Sequence, residues 1–105
     1  MIKKLVLGVL FSLGFSVSAM GETFLIDVRT PEEFAIEHIS GALNVEYQNV
    51  ASWAEKNNVK TDDEIYVYCR SGKRAETAKL SLNEKGYTKV TNLGGIEDVK
   101  ASLGR

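Results

Sequence analysis

The most constraining feature of this 105-residue sequence is the run Ile65-Tyr66-Val67-Tyr68-Cys69 and the segment that follows it, Arg70-Ser71-Gly72-Lys73-Arg74. The run has no polar alternation and is built from β-branched and aromatic residues. That composition suits a strand covered on both faces, as strands in the middle of a parallel sheet are. The following segment is short, carries a glycine and leads into a helical pattern, so it lies at the carboxyl edge where open α/β sheets place their ligand sites.

Three of the six residues from Cys69 to Arg74 are cationic, and Cys69 is the one cysteine of the chain. A tight loop entering a helix points backbone N–H groups at a common centre, and the helix dipole adds partial positive charge there, so the segment suits an anion. Gly72 permits the turn. The same field favours thiolate over thiol, which makes Cys69 a nucleophile that needs no dedicated base, and the one histidine, His38, is not required. The cations have no obvious structural reason to be there, because positive charge at a helix N-terminus opposes the dipole.

Elsewhere strand and helix alternate. Phe24–Val28 is a short apolar run, after which Thr30, Pro31 and Glu33 supply the N-cap, first helical residue and capping-box acid of a helix that must end before Gly41. Phe34, Ile36 and Ile39 give it a ragged apolar face, and Ala42–Val45 suits a second strand. Val50–Lys56 reads as a short helix that Asn57-Asn58 breaks. Beyond the cationic loop, Ala75, Ala78, Leu80 and Leu82 form a helical stripe, Gly86 caps that helix, and Tyr87–Val90 is the next strand. Gly94-Gly95 turns the chain into a tail, Ile96–Arg105, with about one helical turn before it frays. The order predicts a small α/β domain with a mainly parallel central sheet of about five strands, flanked by helices and joined by right-handed crossovers.

Length leaves room for one domain, and 44% hydrophobic with 26% charged residues is ordinary globular usage. A net charge of −1 leaves no basic surface to gather phosphates, so a nucleic-acid partner is set aside. Residues 1–19 read as a signal peptide: Lys3 and Lys4, an apolar stretch of 13 residues from Leu5 to Val17, and a Val17-Ser18-Ala19 exit. The stretch is short of the roughly 20 residues a membrane span needs, so cleavage after Ala19 is expected, leaving residues 20–105 as one domain off the membrane. Export would put Cys69 in an oxidising compartment, where cysteines usually come in pairs, yet the chain offers it no intramolecular partner, so it is either inert and buried or a reactive thiol.

Cys69-Arg70-Ser71-Gly72-Lys73-Arg74 resembles the active-site loop of the rhodanese (thiosulfate sulfurtransferase) family. Asp27-Val28-Arg29 with Pro31-Glu32-Glu33, then His38-Ile39-Ser40-Gly41-Ala42-Leu43-Asn44, Gly86-Tyr87 and Asn92-Leu93-Gly94-Gly95 resemble that family's further landmarks. The resemblance implies a small rhodanese-like domain that carries sulfane sulfur from thiosulfate to cyanide or a thiol through a persulfide on Cys69. Arg70, Ser71, Gly72, Lys73 and Arg74 would bind the substrate. With the signal peptide, it implies a periplasmic protein and leaves room for a protein sulfur acceptor. Two positions depart from the family's habit: Ala75, where Ser or Thr is frequent, and Val99, near which a Trp is frequent.

The alternatives are a non-catalytic rhodanese-like binding module and a cysteine phosphatase. The phosphatase pattern needs five residues between Cys and Arg, and here four separate Cys69 from Arg74. One His and one Cys without a spaced partner do not make a metal site, and no cofactor is expected. Asp27 and Arg29 suit an ion pair or turn, His38 a hydrogen-bonded structural role, and Trp53, Tyr66 and Tyr68 packing.

Overall fold

Alternate residues of the central strand point to opposite faces of a parallel sheet, and each face has its own apolar layer. In the computed structural model, which describes residues 21–103, β1 (Thr23–Asp27), β2 (Leu43–Asn44), β3 (Glu64–Cys69) and β4 (Val90–Gly95) form one sheet in the order β2-β1-β3-β4. Every pairing is parallel, with Ile26 opposite both Leu43 and Val67, and Ile65 opposite Val90. Ile65, Val67 and Cys69 face a layer formed with Val50 and Ala54 of α2 (Val50–Lys56) and Ala75, Ala78 and Leu82 of α3 (Lys73–Glu84). Tyr68 faces the other way, toward Ile39 and toward Ile96 and Val99 of α4 (Ile96–Ser102). Burial of each such Ile, Val or Leu contributes about 1.5–3 kcal/mol, so β3 draws on both layers at once.

The sheet has four strands among the described residues where about five were expected. Several boundaries also move. Tyr87 belongs to the exit of α3, since its N–H donates to the Leu82 carbonyl and its own carbonyl accepts from Asn83 Nδ2, so β4 begins only at Val90. It then runs through Gly94-Gly95, the pair expected to turn the chain. The tail is longer than the expected single turn, because Ile96 and Val99 both find apolar partners. Leu80 is 55% exposed and leaves the helical stripe to Ala75, Ala78 and Leu82.

Thr30, Pro31 and Glu33 begin α1 (Pro31–Ile36) as expected: the Thr30 hydroxyl accepts from the Glu33 N–H at 3.2 Å and Glu33 Oε1 accepts from the Thr30 N–H at 3.0 Å. Ile36 is 86% exposed, while Ile39, beyond the helix, is buried. Residues 1–19, read as a signal peptide, lie outside the described residues.

Candidate active site

β3 delivers Cys69 to the carboxyl edge of the sheet, opposite Gly95, through an irregularity in the β3–β4 pairing between Val67 and Cys69. The residue is 1% exposed, and its sulfur is turned into the loop rather than into the core alone. Sγ accepts the N–H of Gly72 at 2.9 Å and that of Ala75 at 3.4 Å. Gly72 is the N-cap of α3 and makes no side-chain capping bond of its own. The sulfur therefore occupies the place a capping oxygen would fill, accepting the N–H of Ala75 from the first turn where the helix dipole favours negative charge.

The cap works because residue 72 is glycine. Its φ of 99° lies in the left-handed region, and a Cβ there would sit 3.4 Å from the Gly94 Cα. Asn92 fastens the same turn, with Nδ2 donating to the Gly72 carbonyl and to Glu76 Oε1, each at 3.0 Å, and Oδ1 accepting from the Gly94 N–H at 2.8 Å.

The three cations of the loop are placed differently. Arg70 is 68% exposed at its side chain, with Nε 3.4 Å from Glu33 Oε2, a long and weak contact. Lys73, the first residue of α3, is exposed. Arg74 forms a two-pronged pair with Glu33, with its two terminal nitrogens 2.9 and 3.1 Å from Oε1 and Oε2. Arg74, expected to meet a bound anion, thus has a carboxylate as its partner. That pairing is the main reason the Glu33 carboxyl is held well below its ordinary range, and Glu33 in turn raises the Arg74 guanidinium.

Beside the loop, Asp27 and Arg29 form the buried pair the sequence suggests, with Arg29 Nη2 2.6 Å from Asp27 Oδ2 and donating also to the Glu37 carbonyl. Asn44 Nδ2 donates to the carbonyls of Asp27 and Arg29, tying β2 to the end of β1. The Tyr68 hydroxyl accepts the Ile39 N–H at 3.0 Å, and burial pushes the phenol up to about 12. His38 lies outside the site, its Nδ1 2.8 Å from the Phe34 carbonyl and its ring stacked on Phe34.

Of the predicted site residues, Gly72 bonds the Cys69 sulfur, Arg74 and more weakly Arg70 turn to Glu33, and Ser71 and Lys73 are exposed. The two departures from family habit are absorbed locally. Ala75 is buried and contributes its N–H, with Gly72 and the sulfur serving as cap, and Val99 packs against Ile39, Tyr68 and Ile96. Sequence reasoning named Asn92 only as a family landmark, without the role of fastening the turn, and gave Glu33 no role beyond capping. The spacing of a capping box says nothing about a partner 41 residues away.

Fold and site together define a class, an α/β domain with a cysteine in a cationic loop at a helix N-terminus. The family model for the rhodanese-like domain matches residues 17–102, and the chain belongs to that family of sulfurtransferases. It is 36% identical over 88 residues to thiosulfate sulfurtransferase PspE of Escherichia coli K12, covering 84% of this chain and 85% of that protein. It is 39% identical over 71 residues to the uncharacterized protein YqhL of Bacillus subtilis, covering 68% of this chain and 55% of that longer protein. Among solved structures, a rhodanese with anions from E. coli superposes with a TM-score of 0.68 at 38% identity, over 72% of this chain and 89% of that one.

Proposed function

We propose that this protein is a thiosulfate sulfurtransferase that works through a persulfide on Cys69. The observation that carries the reading is the sulfur at the head of α3, bonded by the N–H groups of Gly72 and Ala75, in a segment that also carries Arg70, Lys73 and Arg74. In this mechanism the Cys69 thiolate attacks the outer sulfur of thiosulfate, the sulfur–sulfur bond of the donor breaks, and its electron pair leaves with sulfite. The exposed cations Arg70 and Lys73 attract the dianion and stabilise the departing charge, and the free N–H groups of the loop hold the persulfide. An acceptor thiolate, or cyanide, then attacks the outer persulfide sulfur and returns Cys69 as thiolate. The similarity to PspE supports thiosulfate as donor. The residue 1–19 segment supports export to the periplasm with cleavage after Ala19, which the N-terminal sequence of the protein recovered from a periplasmic extract would test.

Thiocyanate formation from thiosulfate and cyanide tests the chemistry. The wild-type protein should show parallel double-reciprocal lines, because sulfite leaves before the acceptor reacts, and Cys69→Ser should fold but form no thiocyanate. Intersecting lines, or an active Cys69→Ser protein, would overturn the reading.

A further inference from the structure

Glu33 carries two roles that lie far apart in the chain. Within α1 it closes the capping box with Thr30, and across the molecule its two oxygens take the two terminal nitrogens of Arg74 while Oε2 faces Arg70. A capping box needs only an acceptor, and Gln serves there as well as Glu. The negative charge of Glu33 is therefore accounted for by the second role.

Arg74 needs such a partner. It occupies the second position of α3, between Lys73 and the residue whose N–H meets Sγ, and the dipole of α3 repels a cation there. A free arginine would turn its long side chain toward solvent, which also recovers rotamer entropy. Held by Glu33, the guanidinium stays on the turn of α3 whose Gly72 and Ala75 N–H groups meet the sulfur. We infer that Glu33 is a positioning residue, whose carboxylate holds Arg74 at the head of α3 so that the turn carrying the Cys69 sulfur keeps its cationic charge. The consequence for substrate rests on the sulfur-transfer reading; the consequence for Cys69 does not.

A carboxylate that merely neutralised Arg74 would act in the opposite direction, since removing it would make the surroundings of the sulfur more positive. Alkylation by iodoacetate and by neutral iodoacetamide separates the two. Both reagents attack the same thiolate, so their rate ratio reads the local charge. Glu33→Gln, which can still cap α1, should lower the ratio about threefold, the scale of a partly exposed ion pair. Thr30→Ala loses the cap but not the two bonds to Arg74 and should leave the ratio unchanged. Glu33→Asp retains the charge on a stem one methylene shorter; it should also lower the ratio, and it serves should Glu33→Gln fail to fold. Combining Glu33→Gln with Arg74→Gln should lower the ratio no further than Arg74→Gln alone. A ratio that rises or stays constant in Glu33→Gln and Glu33→Asp, or an additive double variant, overturns the inference. In turnover, KM for thiosulfate should rise about threefold in Glu33→Gln with kcat nearly unchanged. A wild-type protein with the expected alkylation ratios but no sulfur transfer would overturn the functional reading alone.

Discussion

A Cβ built on Gly95 would lie 2.2 Å from the carbonyl oxygen of Arg70. The last residue of β4 is thus pressed against the first residue of the reactive loop, at the level where Gly95 pairs with Cys69. The φ of Gly95 is −92°, so any residue could adopt its backbone conformation, and the constraint is purely one of space.

Gly95→Ala should therefore force the Arg70 backbone to move. Overpacking of this kind costs about 1–3 kcal/mol, which in a domain of this size lowers Tm by roughly 4–8 °C per kcal/mol. Sulfur transfer should fall further than the loss of folded protein explains, because the displaced loop carries the N–H groups that meet Cys69. A melt and a thiocyanate assay on the same sample check both.

The Glu33 pair makes stability depend on pH. Arg74 holds the Glu33 carboxyl well below its ordinary value of 4.5, so the stabilisation is fully present above that value and is lost as pH falls toward the lower folded value. The urea-midpoint gap between wild type and Glu33→Gln should be constant above about pH 5.5 and shrink steadily toward about pH 2. A gap unchanged over that range would show that the charge of Glu33 contributes nothing to the fold.

Much of this was legible in the sequence because it rests on local pattern. The both-faces burial of Ile65 to Cys69, the capping box at Thr30 and Glu33 and the glycine at residue 72 each follow from residues within a few positions of one another. What was not legible depends on contacts between distant segments. The expected strand at Tyr87 fails because Asn83 and Leu82 hold residue 87 at the helix exit, and the Gly94-Gly95 pair looks like a turn until Arg70 and Gly72 are set against it. The partner of Arg74 was hidden in the same way, since Glu33 already had a sufficient local reason to be an acid.

The size of the loop sets a further expectation. One residue inserted between Lys73 and Arg74 would rotate Arg74 by about 100° around α3, away from Glu33, and widen the ring around the sulfur. Sulfur transfer should fall by about tenfold or more. The native loop, one residue shorter than the phosphatase pattern, should not hydrolyse aryl phosphates at a useful rate. Substantial phosphatase activity in the native protein would reverse the choice between the two chemistries.

The central claim is that Cys69 accepts sulfur in the cradle formed by Gly72 and Ala75. Intact mass spectrometry of the purified protein after exposure to thiosulfate and removal of excess reagent tests it most directly. The wild-type protein should gain the mass of one sulfur atom, lose it on addition of cyanide or a thiol, and gain nothing when Cys69 is replaced by Ser. A wild-type protein that stays unchanged in mass, or a Cys69→Ser variant that gains the same sulfur, would contradict it.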